Sequence, residues 1–499
     1  MNDLRQETKG VKTLLGDPKK AIFKLATPMI IAMSVQTVYN LTDAIWVSGI
    51  SSDALAAVGY FFPFYMFAIA LSTGLGVGGG AAISRRIGAK DRDGANASAT
   101  HTIVIMVILS FIYMIPLILI IRPIFVLIGA GTALEMAIGY AQILILGTIP
   151  IFFSQVGNAI LRSEGSATKA MAAMISGAFL NIILDPIFIY VFDLGVPGAA
   201  GATLISLCIA SLLLAFWLFG EKGTYVKISF KKFKFKKDIL VDILKVGIPS
   251  TLSQASMSIM MLAITFIVRH VGGNEGVAVY TTGWRVVGLA ILPLLGIATA
   301  VVSVTGATYG AKEYKKLNTA YMHAIKMGII IEIGVALITL IFAQFITLAF
   351  TWSAQSAHIA DDLTLMLQLI WIFYPTVVFG MFSSSMFQGT GKGVYSLIIT
   401  ISRTVVLNVF CVFLFSMVFN LGLIGVWIGI IVATWISSSL AFTWAKLYIN
   451  KLKNNMPLQS LQQEKNGAGF ANNPNSSYIS LQDEQGGNKS GRQRMDNIP

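Results

Sequence analysis

Charge is what this chain has least of. Only 12% of its 499 residues are Asp, Glu, Lys or Arg, where a soluble domain carries about a quarter. Cysteine is nearly absent: Cys208 and Cys411 fall in apolar runs in different halves, which argues against a disulfide framework and favours small core residues. The 4 histidines are scattered and give no metal-ligand spacing. A Gly-rich phosphate loop and a nucleophile elbow are both missing. So is the short apolar core with a small-residue cleavage site that marks a signal peptide; the first span is expected to direct its own insertion. Strands alternating over about ten residues are not seen, which counts against a membrane barrel.

What is there is one apolar run after another, 55% hydrophobic residues overall. The runs are about twenty residues or longer, enough to cross about 30 Å as helix. The expectation is an all-α polytopic membrane protein with twelve transmembrane helices. The net charge of +13 lies in the loops, so it reports topology and gives no ground for nucleic-acid binding. Arg85, Arg86, Lys90 and Arg92 follow the second span, and Lys312, Lys315 and Lys316 the eighth. Opposite loops such as Ser51-Ser52-Asp53 and Asn420-Leu421-Gly422 carry no Lys or Arg. The positive-inside rule places the basic loops and both termini in the cytoplasm. An even number of spans requires the same.

The chain repeats. Ala26-Thr27-Pro28 faces Gly247-Ile248-Pro249, Ile87-Gly88-Ala89-Lys90 faces Tyr309-Gly310-Ala311-Lys312, and Glu164-Gly165 is set against Gln388-Gly389. Each half holds six spans, so both enter the membrane in one direction, as a parallel repeat about a pseudo-two-fold axis. The expected organisation is a cytoplasmic segment 1–20, a six-helix lobe 21–220, a basic linker 221–239, a second lobe 240–450 and a disordered cytoplasmic tail 451–499. In the linker, Phe230, Phe233 and Phe235 alternate with lysines. It reads equally as a strap on the anionic inner leaflet or as a solvated basic loop.

The residues with chemistry lie inside the spans. Asp185 sits in the fifth, where a carboxylate costs about 2.5–3.5 kcal/mol on insertion scales. Pro186 follows it and leaves the Ile182 carbonyl without its helical donor. Asn181 lies one turn earlier on the same face. A helix–helix packing contact is the alternative. In the first span Gln36, Asn40 and Asp43 share a stripe, with Tyr39 one turn before Asp43 and Pro28 as a kink. Asp43 is about 28 Å along from Lys24, and Asp185 about 24 Å along from Lys169. The two acids therefore stand at one level. In the second lobe their places fall on Ile264 and on Phe410 or a neighbour. Such a pair suits a proton or a hard cation such as Na⁺.

The repeat, Leu25-Ala26-Thr27-Pro28, Tyr39-Asn40-Leu41-Thr42-Asp43, Leu161-Arg162-Ser163-Glu164-Gly165 and Asn181…Asp185-Pro186 together resemble the multidrug and toxic compound extrusion (MATE) family. The likeness is to its prokaryotic branch with the acidic site in the N-terminal lobe, and covers about residues 15–450. It implies an antiporter that exports cationic or amphipathic organic compounds as H⁺ or Na⁺ enters. It also implies an ion site at Asp43, Asn181, Asp185 and Thr203, with Tyr140 beside it, and a bend at Pro28. No cofactor, enzyme activity or nucleic acid is expected; the partners are small organic substrates and the bilayer, with the protein acting as a monomer.

Other polar positions stay open. Glu332 is either functional or held by Arg403 or Lys326. Arg285 reads as structural. Gln155 and Asn158 either line a cleft or bond neighbouring helices. Met257, Met260 and Met261 are an adaptable binding wall or, more simply, packing. A flippase for a lipid-linked precursor is the competing function. It would want a cationic cavity, and the spans offer little beyond Arg285 and Arg403. An intramembrane enzyme or receptor ranks third.

Overall fold

The computed structural model describes residues 8–220, 224–231, 233–352 and 357–455. The expected disorder of the tail therefore falls, from 456 onward, outside the described residues. Residues up to Ile449 form one compact unit.

The described residues are helical throughout, with no strand. A short α1 (Lys9–Leu15) leads into α2 (Pro18–Ser48), α3 (Ser52–Gly88) and α4 (Arg92–Leu127). Then come α5 (Leu134–Leu146), α6 (Thr148–Ser163), α7 (Ala167–Pro186) and α8 (Gly195–Phe219). The second half holds α9 (Lys237–Ala290), α10 (Leu292–Gly310), α11 (Tyr314–Ile341), α12 (Ala343–Phe350) and α13 (Ala360–Ile370). It ends with α14 (Phe373–Gly389), α15 (Gly393–Ile401), α16 (Leu407–Phe413) and α17 (Gly422–Asn454). Among the described residues, 10 helices are long and apolar enough to cross a bilayer, or 12 with two bent pairs counted as one span each. Those pairs bend by 50° between α5 and α6 and by 55° between α13 and α14. Many large apolar side chains point outward, Leu119, Phe216, Leu262 and Phe266 among them. In water such a surface would aggregate; in lipid it is the solvated face.

The structure bears on three local expectations. The linear reading ends one span at 268 and begins the next at 276. The break falls inside that interval: two helical stretches meet at Gly273, whose positive φ of 61° interrupts α9, so the connection is a sharp turn with helix on both sides. At Pro28, where a kink is expected, α2 continues through the proline without a break. Pro186 does end its helix, and a π-helical turn, Ile187–Val191, follows. The missing N–H is absorbed by a wider hydrogen-bond register.

The repeat is visible in the backbone. Lys90 and Lys312 take the same left-handed conformation, as do Asp193 and Asn420, and Gly165 and Gly391. The last pair corrects the sequence alignment: Glu164-Gly165 corresponds to Thr390-Gly391, two residues later than Gln388-Gly389. The π turns Ile187–Val191 and Leu414–Val418 correspond as well. That register sets Asn181 against Asn408, Asp185 against Val412 and Thr203 against Ile430. Of the expected Phe410 or a neighbour, the counterpart of Asp185 is thus the neighbour Val412.

Lipid gives helices no hydrophobic reason to associate, so close packing must hold them. Here α3 packs on α9, and α10 on α2. A Cβ on Gly88 would strike the Ala307 carbonyl, and one on Gly310 the Arg85 carbonyl. Likewise Gly74 abuts Thr251 and Gly296 abuts Ile30. Each contact has its repeat-related twin, so the halves cross through matched glycines. Charge breaks the match. Asp242 of α9 accepts from Arg85 and Arg86 at 2.7 Å each, while Arg85 also donates to the Gly389 carbonyl at 3.1 Å.

The chain after α8 lies back against the first half as a strap. Glu164, fully buried in the turn after α6, accepts from the Tyr225 and Val226 amides at 2.8 and 3.1 Å and from Ser166 Oγ at 2.9 Å. Burial still pushes its carboxyl up to about 7.

Candidate functional site

The stripe on α2 faces inward. Gln36, Tyr39, Asn40 and Asp43 line a cavity of about 380 Å³, together with Tyr65, Tyr140, Gln155 and Thr203 from α3, α5, α6 and α8. A smaller cavity of about 60 Å³ is walled by Gln36, Asn158, Asn181, Thr203 and Ser206. Both lie in the first half. The helical spacing of the sequence stripe is thus realised as one wall, and the bend between α5 and α6 brings Tyr140 and Gln155 to it.

Beside these cavities is a buried polar network. Asn181 Nδ2 donates to Asp185 Oδ1 at 3.0 Å and to Thr203 Oγ1 at 3.2 Å. Asn181, Asp185 and Thr203 are 2%, 0% and 6% exposed. The Asp43 carboxyl faces that of Asp185 closely enough for the two to interact. Tyr39 stands among Tyr65, Asp43, Tyr140 and Asp185. Tyr140 is packed edge-on against Phe61, 5.9 Å between ring centroids. Two acceptors in this network, Asp185 Oδ2 and Asn181 Oδ1, have no hydrogen-bond partner. An unsatisfied buried acceptor is costly. A pair of them beside a second carboxylate fits a proton or a hard monovalent cation, with the Thr203 hydroxyl as a further oxygen ligand.

The structure thus brings together Asp43, Asn181, Asp185, Thr203 and Tyr140, and places Gln36, Asn40 and Asn158 on the cavity walls. It does not bring Met257 or Met260 there. Neither lines these cavities; Met257 is exposed and Met260 is packed in the main apolar core. Glu332 is fully buried on α11, yet neither oxygen has a hydrogen-bond partner. Its expected partner Arg403 has an unpartnered Nε, and neither it nor Lys326 forms a salt bridge with Glu332 among the described residues. Tyr65 and Ser206 were missed from sequence. Nothing in their local spacing marks them, because they reach the site from helices whose facing is set by tertiary packing.

Comparison with known proteins follows the same lines. The MatE family model matches twice, over residues 28–187 and 249–414, one copy in each half. The multidrug export protein MepA of Staphylococcus aureus is 26% identical over 448 residues, 88% of this chain and 95% of that protein. MepA of Staphylococcus saprophyticus is 27% identical over 402 residues, 78% and 86% of the two chains. Solved structures match at higher identity. A MOP superfamily transporter from Pyrococcus furiosus, whose binding pocket of reverse polarity suggested a different function, is 48% identical with a TM-score of 0.87, covering 90% of this chain and all of that one. An outward-facing multidrug resistance MATE transporter gives 48% and 0.88 over the same shares. With a duplicated helical scaffold matched in both copies and nearly end to end, this chain belongs to the MatE family of multi-pass membrane transporters.

Proposed function

We propose that this protein is a secondary active antiporter that exports cationic or amphipathic organic compounds while H⁺ or Na⁺ enters. Membership of a family of transporters supports the export reaction. One observation carries the coupling: Asp185 Oδ2 and Asn181 Oδ1 are buried without donors, against Asp43, which lines the 380 Å³ cavity. A proton would turn one carboxyl into a donor. Na⁺ would take the same oxygens, with Thr203 and the Tyr140 hydroxyl close by. Coupling requires that the ion bind the two access states with unequal affinity. In this reading the lobes 21–220 and 240–450 are the moving units, the linker 221–239 joins them, and Pro28 and Pro186 are the points where α2 and α7 yield. Basic loops and termini face the cytoplasm, and a monomer suffices.

The test is transport of a fluorescent cationic dye into or out of proteoliposomes under separately imposed pH and Na⁺ gradients. Export driven by one gradient and lost in Asp43→Asn and Asp185→Asn supports the reading. Dye movement indifferent to both gradients would sink it. The second reading, a flippase for an anionic lipid-linked precursor, draws on the Pyrococcus relative with a pocket of reverse polarity. An anionic headgroup wants cations in the cavity. The walls here contain Asp43 and neither Lys nor Arg, which favours antiport of cations.

A further inference from the structure

A cavity of about 350 Å³ lies between the first turns of α4 and the strap. The strap is fastened there through its backbone. The Lys227 amide donates to Asn96 Oδ1 at 2.7 Å, the Ser229 amide to Thr100 Oγ1 at 3.4 Å, and the Lys236 amide to His101 Nε2 at 3.0 Å. Since Nε2 accepts, His101 Nδ1 is the protonated nitrogen, and it donates to the Ala97 carbonyl at 2.7 Å. The imidazole is neutral in this arrangement, held as a brace with Phe233 packed on it at 4.8 Å.

The lysine side chains are left for something else. Lys227, Lys234 and Lys236 line the cavity against a single carboxylate, Asp93. Among the described residues none of the three lysines forms a salt bridge. Three ammonium groups around one concavity repel one another unless an anion sits among them. The same strap exposes two aromatic rings, Phe230 at 53% and Phe235 at 65%. A loop in water would tuck such rings away. At the level of a bilayer's headgroups they are anchors.

We propose that this cavity binds the phosphate headgroup of an anionic membrane lipid, with Lys227, Lys234 and Lys236 on the phosphate and Phe230 and Phe235 in the acyl boundary beside it. A free phosphate ion would meet the lysines and leave the rings unexplained, so the lipid is the occupant. The site is separate from the ion pocket and rests on the antiport reading only for which leaflet supplies the lipid.

The experiment uses the full chain, delipidated in detergent, with native mass spectrometry to count retained lipid. Dioleoylphosphatidylglycerol is compared with dioleoylphosphatidylcholine, with inorganic phosphate as competitor. The expected result is retention of phosphatidylglycerol over phosphatidylcholine, lost by roughly fivefold per lysine in Lys227→Gln, Lys234→Gln and Lys236→Gln combined. Lys231→Gln, exposed on the same strap but outside the cavity, should change nothing. Phe230→Ala with Phe235→Ala should weaken lipid retention as well. Equal retention of the two lipids, a triple variant that holds phosphatidylglycerol like wild type, or displacement by inorganic phosphate at equal concentration would each overturn the assignment. Transport is not read, so failure here leaves the antiport proposal untouched, and the reverse.

Discussion

Asp185 and Glu332 lie in opposite halves, each without exposed surface and each with an unbonded carboxylate oxygen. Around Asp185 the first half assembles Asn181 at 3.0 Å, a facing Asp43 and two cavities that Asn181 and Asp43 line. Glu332 has Tyr374 of α14 nearby and borders neither cavity. The repeat register makes the contrast sharper. Asn181 has a counterpart in Asn408, likewise buried with an orphaned Oδ1. Asp43, Asp185 and Thr203 instead meet Ile264, Val412 and Ile430, all fully buried. A duplicated scaffold keeps one amide in both halves but builds an oxygen-rich site in only one. On the proposed ion-coupling reading, burial of an acid is not enough; it needs ligating neighbours and a route by which an ion arrives.

The largest expected effect separates the two acids. Asp43→Asn and Asp185→Asn should each lower gradient-driven transport by about a hundredfold or more, as expected when an essential charge is removed from a buried site. Glu332→Gln should stay within about twofold. A Glu332→Gln variant as dead as the other two would erase the distinction between halves. Next, Thr203→Val should weaken the coupling ion's apparent affinity by roughly tenfold, the worth of one hydrogen bond or ligand to a charged group. Asn408→Ala, in the matching position to Asn181, should leave that affinity unchanged.

Stability sharpens the comparison further. Glu332→Met removes two orphaned oxygens at similar volume, and should raise the thermal midpoint in detergent by the equivalent of about 1–3 kcal/mol. The same change at Asp185 should cost transport outright. Across the interface, Asp242→Asn weakens the bonds to Arg85 and Arg86 and should lower the midpoint by about 1–2 kcal/mol, allowing for partial exposure. The repeat-related positions Ala307, Thr308 and Ala21 have no such pair to lose.

A last effect is a pH dependence confined to the turn after α6. Glu164 has its carboxyl up at about 7 in the folded protein, above its ordinary value. Between roughly pH 4.5 and 7 the unfolded chain gives up this proton first, so stability falls as pH rises and levels off above the folded value. Glu164→Gln should flatten that part of the unfolding profile. Thr390, its counterpart in the second half, has nothing to titrate.

Much of this was legible in the chain itself. Apolar runs, sparse charge and basic loops dictate a helical polytopic protein, because a bilayer leaves no other way to satisfy a backbone. Matched Pro and Gly signatures revealed the duplication, since turns and crossings need those residues whatever surrounds them. Asp43, Asn181 and Asp185 declared themselves by being polar where polarity is expensive. Hidden from a linear reading were how sharply the chain turns at Gly273, the two-residue shift that pairs Gly165 with Gly391, and the inward turn of Tyr65 and Ser206. Met257 and Met260, read more simply as packing, do not line the two cavities of the first half. Those outcomes depend on how each helix is rotated and bent against its neighbours, which is fixed by packing between residues far apart in sequence. The chain decided what had to be inside the membrane; only the assembled helices decided which of those groups would meet.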